Sequence, residues 1–148
     1  MSAPITLRAA SAADFPSITA LLDENELPVK GVKESLGNFL VAVNLRGDVV
    51  GVAGFEQYGD SCLLRSVAVD KRFRGQGYGR VLTGTILEKA RAKGVRKAYL
   101  LTDSASAYFE GLGFQPVGRE NVDEPVKTSI EFVELCSESA VVMRKFLS

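Results

Sequence analysis

The segment RGQGYGR, residues Arg74 to Arg80, constrains the fold of this 148-residue chain more than any other feature. It follows an apolar strand pattern that ends at Val69 and precedes a helical pattern that starts near Gly77 or Tyr78. The first N–H groups of a helix have no intrahelical acceptor and bind anions. Because glycine lets the backbone approach a ligand closely and arginine suits phosphate, the segment predicts a phosphate-binding turn.

Two common phosphate-binding motifs do not match this turn. The dinucleotide fingerprint G-x-G-x-x-G needs a glycine where Arg80 stands, and a Walker loop needs Gly-Lys-Ser/Thr, which is missing here. The motif that remains is R-x-x-G-x-G, formed by Arg74, Gly77 and Gly79. For the turn alone, an ordinary strand-to-helix connection stays open as the alternative.

The order of the predicted elements indicates one mixed α/β (α+β) domain over residues 1–148. Ser11 is expected to cap the first helix, with Asp14 completing a capping-box variant. Tight-turn residues at Arg46–Asp48 and Gly59–Ser61 predict an antiparallel meander of three strands. The predicted strands are ITLRAA, FLVAVNL, DVVGVAGFEQY, SCLLRSVAV, KAYLLT, FQPVG and SAVVMRKFL, and the predicted helices are SAADFPSITALLDENEL, GRVLTGTILEKARAKG, SASAYFEGLG and the segment after Pro125.

Composition excludes several classes of function. The formal net charge is zero, so no global field favours nucleic acid or an anionic membrane, and no apolar stretch is long enough to span a bilayer. The chain has no histidine, which excludes Ser-His-Asp and Cys-His catalysis and argues against a metal site. Cys62 and Cys136 lie far apart, as expected of reduced thiols in a cytoplasmic protein. The basic run between Lys89 and Lys97 is expected to be a solvated helix end.

A second signature, Tyr108 to Phe114 (YFEGLGF), accompanies the glycine turn. Together with Val67-Ala68-Val69 before the turn and the helix after it, the chain resembles the GNAT superfamily of acetyl-CoA-dependent N-acetyltransferases over nearly its whole length. The resemblance implies a mixed, mostly antiparallel sheet of six to seven strands flanked by helices, with a splayed strand pair that binds acetyl-CoA. Acetyl-CoA is then the co-substrate and no metal is needed.

The resemblance also implies roles for residues around the turn. The pyrophosphate would bind the amides of Arg74 to Arg80, and the pantetheine arm would pair with the backbone of Val67 and Val69. An N–H of the same strand would bind the thioester oxygen. The implied cofactor-binding set is Val67, Ala68, Val69, Arg72, Arg74, Gly75, Gln76, Gly77, Tyr78, Gly79 and Arg80.

A narrower resemblance covers LLRSVAV, LLTDSASAYFEGLGFQPVGR and EFVELCSESAVVMRKFL. These segments are similar to arsenic-resistance N-acetyltransferases of the second type and, more distantly, to the acetyltransferase domain of N-acetylglutamate synthase. Both imply a small, amino-acid-like amine as acceptor, and the first implies arsenic detoxification. The chain departs from the arsenic-resistance pattern at Ser137, where that subfamily usually has proline.

The usual acid and base positions of these families carry other residues here. Phe109 stands where many GNAT enzymes have the tyrosine that protonates the thiolate, and Leu63 aligns with the base of N-acetylglutamate synthase. The remaining candidates are Glu56 as base and Tyr108 as acid. A solvated strand-end glutamate and an aromatic that only packs are the alternatives for these two residues.

Arg65 and Ser104 are the candidates for acceptor binding. A charged residue inside LLRSVAV is costly to bury unless it is paired. Arg65 therefore either clamps a carboxylate of the acceptor or forms a structural salt bridge with Glu56 or Asp60. Ser104 and Ser106 start the short helix, and one of them is also expected to be its N-cap.

The leading hypothesis is an enzyme that acetylates a small amine. A peptide or protein N-acetyltransferase and a non-catalytic acyl-CoA sensor are the alternatives, and the missing tyrosine and glutamate favour the sensor. No nucleic-acid or membrane partner is expected. A homodimer is possible, with FVELCSESAVVM as an interface strand.

Overall fold

The structure, a computed structural model, describes residues 5–135 and 140–147. Within them the predicted mixed α/β class is confirmed, and seven strands correspond to the upper end of the expected number. The strands are β1 Thr6–Ala9, β2 Phe39–Val43, β3 Val49–Tyr58, β4 Ser61–Val69, β5 Lys97–Thr102, β6 Gln115–Pro116 and β7 Val141–Phe146, and the α-helices are α1 Phe15–Glu24, α2 Tyr78–Ala92 and α3 Ser106–Glu110.

The strands form one sheet in the order β1-β2-β3-β4-β5-β7-β6. Neighbours pair antiparallel from β1 to β3 and from β5 through β7 to β6. Only β4 and β5 are described as a parallel pair, with Ser61–Leu63 opposite Lys97–Tyr99. The predicted hairpin turns are present between β2 and β3 and between β3 and β4, where Gly47 and Gly59 take the left-handed φ values of 86° and 66° that such turns favour.

The chain forms two compact units, which are described separately. The first contains the chain up to Phe55 together with Ser66–Glu88, and the second contains Glu56–Arg65 together with the chain from Lys89 onward. The assignment of residues 1–148 to a single domain therefore stays a prediction.

The core of the first unit lies between α1 and the strands β2 and β3. Its buried apolar side chains are fully or almost fully removed from solvent, so the hydrophobic effect holds α1 against the sheet. The phenyl ring of Phe39 lies where a side chain at Gly54 would stand, which explains a glycine in the middle of β3. The cluster consists of Ile18, Leu21, Leu22, Val32, Phe39, Val41, Val52 and Ala68.

The second unit has its own core, in which the segment after β6 covers one face of β4, β5 and β7. Leu63, Tyr99, Val122, Val126 and Val142 form it. A polar group at its border supports the packing: Asp123 accepts a short hydrogen bond from the Ser61 hydroxyl and forms an ion pair with Lys97 at 2.9 Å. Both contacts hold the pKa of Asp123 below its usual range, and the hydrogen bond from Ser61 has the larger effect.

Three predicted elements differ from the structure. The first helix begins with a 3-10 turn at Ala12–Asp14 before α1, and β6 has two residues rather than the five of FQPVG. The segment after Pro125 is not one α-helix: a 3-10 helix spans Glu124–Thr128 and a π-helical turn spans Glu131–Leu135. Cys136 and Ser137 lie outside the described residues, as does part of the proposed interface strand.

In the parts of the chain that the structure describes, no helix combines the length and the apolar character that crossing a bilayer requires.

Asp14 closes the predicted capping box and carries a testable pH dependence. Its carboxylate accepts hydrogen bonds from Arg8 at 2.7 and 2.9 Å and from the Ser11 N–H at 2.8 Å. These hydrogen bonds hold the pKa of Asp14 well below its usual range, and those from Arg8 have a larger effect than those from Ser11. Because the folded pKa lies below the unfolded one, the stabilisation is complete above about pH 4 and is lost as the pH falls further.

We therefore expect Asp14→Asn to lower the free energy of unfolding at neutral pH by about 1 to 2 kcal/mol. The difference from the parent protein should shrink as the pH falls below about 4. Urea denaturation at several pH values measures both. Asp23→Asn, at an exposed carboxylate of α1, is the matched control and should change little. A loss for Asp14→Asn that is equal at all pH values would contradict the assigned electrostatic role.

Candidate functional site

The glycine turn has the backbone geometry of a ligand cradle. Gly75 and Gly77 have φ values of 80° and 83°, which side chains of L-residues rarely adopt, and a Cβ at either position would meet no atom within 4 Å. The Val81 N–H donates to the Gly77 carbonyl at 3.1 Å, so α2 starts directly at the turn. The turn therefore presents open backbone and the N–H groups of a helix start, a combination that fits a phosphate group.

Two of the predicted phosphate-binding arginines make contacts within the protein. The Arg72 guanidinium donates to the Asp70 carboxylate at 3.1 and 3.0 Å, and its carbon lies 5.7 Å from the centre of the Phe73 ring. Arg74 donates to the Val69 carbonyl at 3.2 Å and makes a short hydrogen bond to the Asn25 side chain. These contacts brace the turn from both sides.

The remaining residues of the predicted cofactor set lie along the turn and in the first turn of α2. Gln76 and Arg80 are exposed and Gly79 is half-buried. Tyr78 is buried, and its ring stacks on Phe73 with 6.4 Å between the ring centres. Arg80 thus lies exposed in the first turn of α2, and Arg72 and Arg74 are exposed as well.

The strand before the turn has an irregular backbone. Ser66 has φ of 60° in the middle of β4, a left-handed value that costs a non-glycine residue about 1 to 3 kcal/mol. After it, Val67 and Val69 are half-buried while Ala68 is buried in the first core. β4 continues six residues beyond its last described pair with β5, Leu63 opposite Tyr99. Strained backbone of this kind concentrates at functional sites.

Arg65 is the centre of a buried polar group that we call the Arg65 cluster, consisting of Arg65, Glu56, Tyr58 and Glu131. Arg65 Nη1 lies 2.7 Å from Glu56 Oε2, and Arg65 Nε lies 2.9 Å from Glu131 Oε2. The Arg65 side chain is fully buried, and the two carboxylates are about nine-tenths buried. Of the two salt-bridge partners considered from the sequence, the structure thus provides Glu56.

Tyr58 fixes the other oxygen of Glu56. Its hydroxyl donates to Glu56 Oε1 at 2.7 Å, because residues two apart in β3 point to the same face. Burial and the bond to Glu56 raise the pKa of Tyr58, and a hydrogen bond from Ser129 offsets part of the increase. Both oxygens of the Glu56 carboxylate are therefore held, one by a phenol and one by a guanidinium, while each keeps a second lone pair.

Tyr58 and Glu131 are the two members of the cluster that were not predicted from the sequence. The period of two along GFEQY places Tyr58 beside Glu56 and was a usable signal. No sequence pattern connects Glu131 to Arg65, since the two lie on elements that are distant along the chain. Glu131 reaches Arg65 from the π-helical turn, where backbone and side chain of Ser129 accept the N–H groups of Val133 and Phe132 at 3.0 and 3.2 Å.

The other two predicted site residues lie on or next to α3, not in the Arg65 cluster. Tyr108 is 45% exposed, and its ring is T-shaped against that of Phe109, which makes a second T-shaped contact with Phe114. Ser104 is exposed. The expectation that Ser104 or Ser106 caps this helix is wrong: the N-cap position is Ala105, whose N–H donates to the Thr102 hydroxyl at 2.9 Å.

The described side chains contain no group of three or more histidine, cysteine or acidic residues arranged to hold a metal ion. Cys62 is buried, and burial raises the pKa of its thiol to about 12, so it is not a nucleophile at neutral pH. Acid–base chemistry at carboxylate and phenol groups is what the described cluster offers.

Comparison with known proteins identifies the family. The sequence profile of the acetyltransferase (GNAT) family matches residues 9–114. The chain belongs to this family. The glycine turn, the strand before it and the YFEGLGF signature all lie in the matched range, so the predicted superfamily is confirmed. Acetyl-CoA is the co-substrate of the GNAT family, as the sequence predicted.

Two curated relatives are amino-acid acetyltransferases. The one from Neisseria meningitidis serogroup A is 25% identical over 81% of this chain, which corresponds to 29% of the relative. The one from Mycobacterium tuberculosis is 27% identical over 95% of this chain and 83% of the relative. The chain thus spans less than a third of the length of the Neisseria relative.

A solved structure shares the fold. N-acetylglutamate synthase from Neisseria gonorrhoeae, determined in complex with coenzyme A and N-acetyl-glutamate, superposes with a TM-score of 0.84 at 21% identity. The match covers all of this chain and 36% of the other. The predicted fold, a mostly antiparallel sheet flanked by helices, is confirmed.

The glycine turn generates a direct test of cofactor binding. Gly77→Ala forces a side chain into a left-handed backbone at a cost of about 1 to 2 kcal/mol, which the turn relieves by moving. We expect acetyl-CoA affinity to fall roughly tenfold, as measured by calorimetry. Gly84→Ala is the matched control, since Gly84 lies inside α2 without a positive φ, and a Cβ added there would meet no atom within 4 Å. It should bind normally, and equal affinity of the two variants would refute a role for the turn.

Proposed function

We propose that this chain transfers the acetyl group of acetyl-CoA to the primary amine of a small, amino-acid-like molecule, with Glu56 as the general base. Membership of the GNAT family and the curated amino-acid acetyltransferases support the reaction and the acceptor class. The observation that carries the choice of base is the buried Glu56 carboxylate, fixed through Tyr58 on one oxygen and Arg65 on the other.

The chemistry requires such a base. An amine is a nucleophile only after its ammonium form loses a proton, and a carboxylate in a fixed position accepts that proton efficiently. The neutral amine nitrogen then bonds to the carbonyl carbon of the thioester and the C–S bond breaks. The nitrogen releases its second proton to solvent, and the departing thiolate takes a proton. Tyr108 is proposed as the donor of that proton, which its exposed phenol permits.

Arg65 has a different role in this proposal than a clamp for the acceptor. Its Nη1 and Nε groups already bind Glu56 and Glu131, and its side chain is fully buried. We assign it to the positioning of Glu56. Ser104, exposed before α3, remains a candidate contact for the acceptor.

A more specific proposal for the acceptor involves arsenic. The resemblance of LLRSVAV and EFVELCSESAVVMRKFL to arsenic-resistance N-acetyltransferases supports an arsenic-containing amino acid as one candidate acceptor. A second function, a non-catalytic acyl-CoA sensor, is favoured by one observation: Phe109 and Leu63 occupy the usual acid and base positions, and Leu63 is buried in an apolar core.

A panel of amines tests the proposal. Release of free CoA thiol is measured with proteinogenic amino acids, phosphinothricin-like and arsenic-containing amino acids, polyamines and short peptides. We expect turnover with the amino-acid group, and Glu56→Gln should lower kcat by about 10²- to 10⁴-fold while acetyl-CoA affinity stays unchanged. Glu88→Gln, at an exposed position of α2, is the matched control.

Turnover only with peptides would show that the acceptor is a peptide rather than a small amino-acid-like amine. If arsenic-containing amino acids react no faster than other amino acids, the proposal of an arsenic-containing acceptor is wrong. Acetyl-CoA binding without turnover on any amine would support the sensor instead.

A further inference from the structure

Glu131 binds the same arginine as the proposed base. Arg65 donates from Nη1 to Glu56 Oε2 at 2.7 Å and contacts Glu131 Oε2 through Nε at 2.9 Å. We propose that Glu131 is a positioning residue, which sets the orientation of the Glu56 carboxylate and the charge that it faces by acting through Arg65. This inference rests on the proposed function, because it takes Glu56 as the general base.

The orientation follows from the shape of the guanidinium. This group is planar and rigid, and Nε and Nη1 are separate donors of one fork. A carboxylate at Nε fixes the plane of the fork and thereby the direction in which Nη1 meets Glu56. Because the Arg65 side chain has no exposed surface, water does not replace a lost carboxylate partner easily. Lysine, with a single compact ammonium, cannot reproduce this two-sided contact.

The electrostatic part follows from the charges in the cluster. Glu56 contacts Tyr58 from its own strand and Arg65 from β4, and Arg65 in turn binds Glu131 from the π-helical turn. The Arg119 guanidinium lies 5.3 Å from the centre of the Phe132 ring, next to Glu131. The negative charge of Glu131 offsets part of the Arg65 charge. Without it, Glu56 faces a stronger cation, which favours its ionised form and makes it a weaker base.

The backbone conformation at Glu131 supports a functional role for this residue. Glu131 is the first residue of a π-helical turn. Such turns are rare in proteins, and those that occur are often found at functional sites. The preceding Ser129 is buried and anchors the turn by accepting two N–H groups. Phe132 of the turn packs against the second core, and Ser129 hydrogen-bonds to Tyr58 of β3. These contacts hold the turn to the sheet independently of the ion pair, so that an isosteric change at Glu131 tests charge rather than folding.

The experiment compares Glu131→Gln with the parent protein, using the amine that the parent acetylates fastest. The amide keeps the shape and can still accept from Arg65 Nε, but it has no charge. We expect kcat to fall about tenfold with the KM for acetyl-CoA unchanged, and the acid limb of the kcat/KM profile to move to lower pH. Glu131→Ala, which also removes the acceptor atom, should lose about 10²-fold.

Two further variants separate a positioning role from a structural one. In the Glu56→Gln background, Glu131→Gln should add little loss, because both act on one step. Glu124→Gln, at an exposed glutamate of the same segment, is the control and should match the parent. Thermal midpoints establish that each variant is folded.

The outcomes are distinguishable. If the parent turns over and Glu56→Gln does not, an unshifted profile or additive losses for Glu131→Gln overturn the inference and leave the proposed function intact. If the parent releases no CoA with any amine, or if Glu56→Gln is as active as the parent, the proposed function and the positioning role of Glu131 are both wrong.

Discussion

The buried guanidinium of Arg65 is the constraint on which the second unit depends. Removing a cation from water costs several kcal/mol, and only well-placed carboxylates offset that cost. Two strands and a turn meet this demand: β3 supplies Glu56 and Tyr58, β4 supplies Arg65 itself, and the π-helical turn supplies Glu131. The same contacts tie the segment after β6 to the sheet, so fold stability and the proposed acid–base group share one set of interactions.

The first unit depends on a different balance, between apolar packing and exposed backbone. Its core fixes α1 and the strands, while the glycine turn lies outside that core with open space around it. The internal contacts of Arg72 and Arg74 hold the turn without filling it. If the turn takes the phosphate group that its sequence predicts, these contacts lower the entropic cost of binding, because part of the turn is ordered before the ligand arrives.

Much of the fold was predictable because its signals are local. The bounds of β5 match KAYLLT, and the turns at Gly47 and Gly59 match, since apolar runs between turn residues specify strands. The segment after Pro125 was not predictable in detail, because its 3-10 and π-helical turns follow from packing on Leu63 and Tyr99 rather than from propensity. In the candidate site, a charge inside an apolar strand indicated Arg65. No local sequence pattern predicts the contact of Glu131 or the left-handed backbone of Ser66.

The π-helical turn at Glu131 links function to chain length. A π-helical turn closes its hydrogen bonds over one residue more than an α-helix does, so removal of one residue from Glu131–Leu135 would change the spacing of the turn. The neighbouring residues would then rotate by about 100° around the axis, and the carboxylate could no longer approach Arg65 along the same direction. The length of this turn is therefore a tighter constraint on the Arg65 cluster than the residue type at an exposed position of the turn such as Val133.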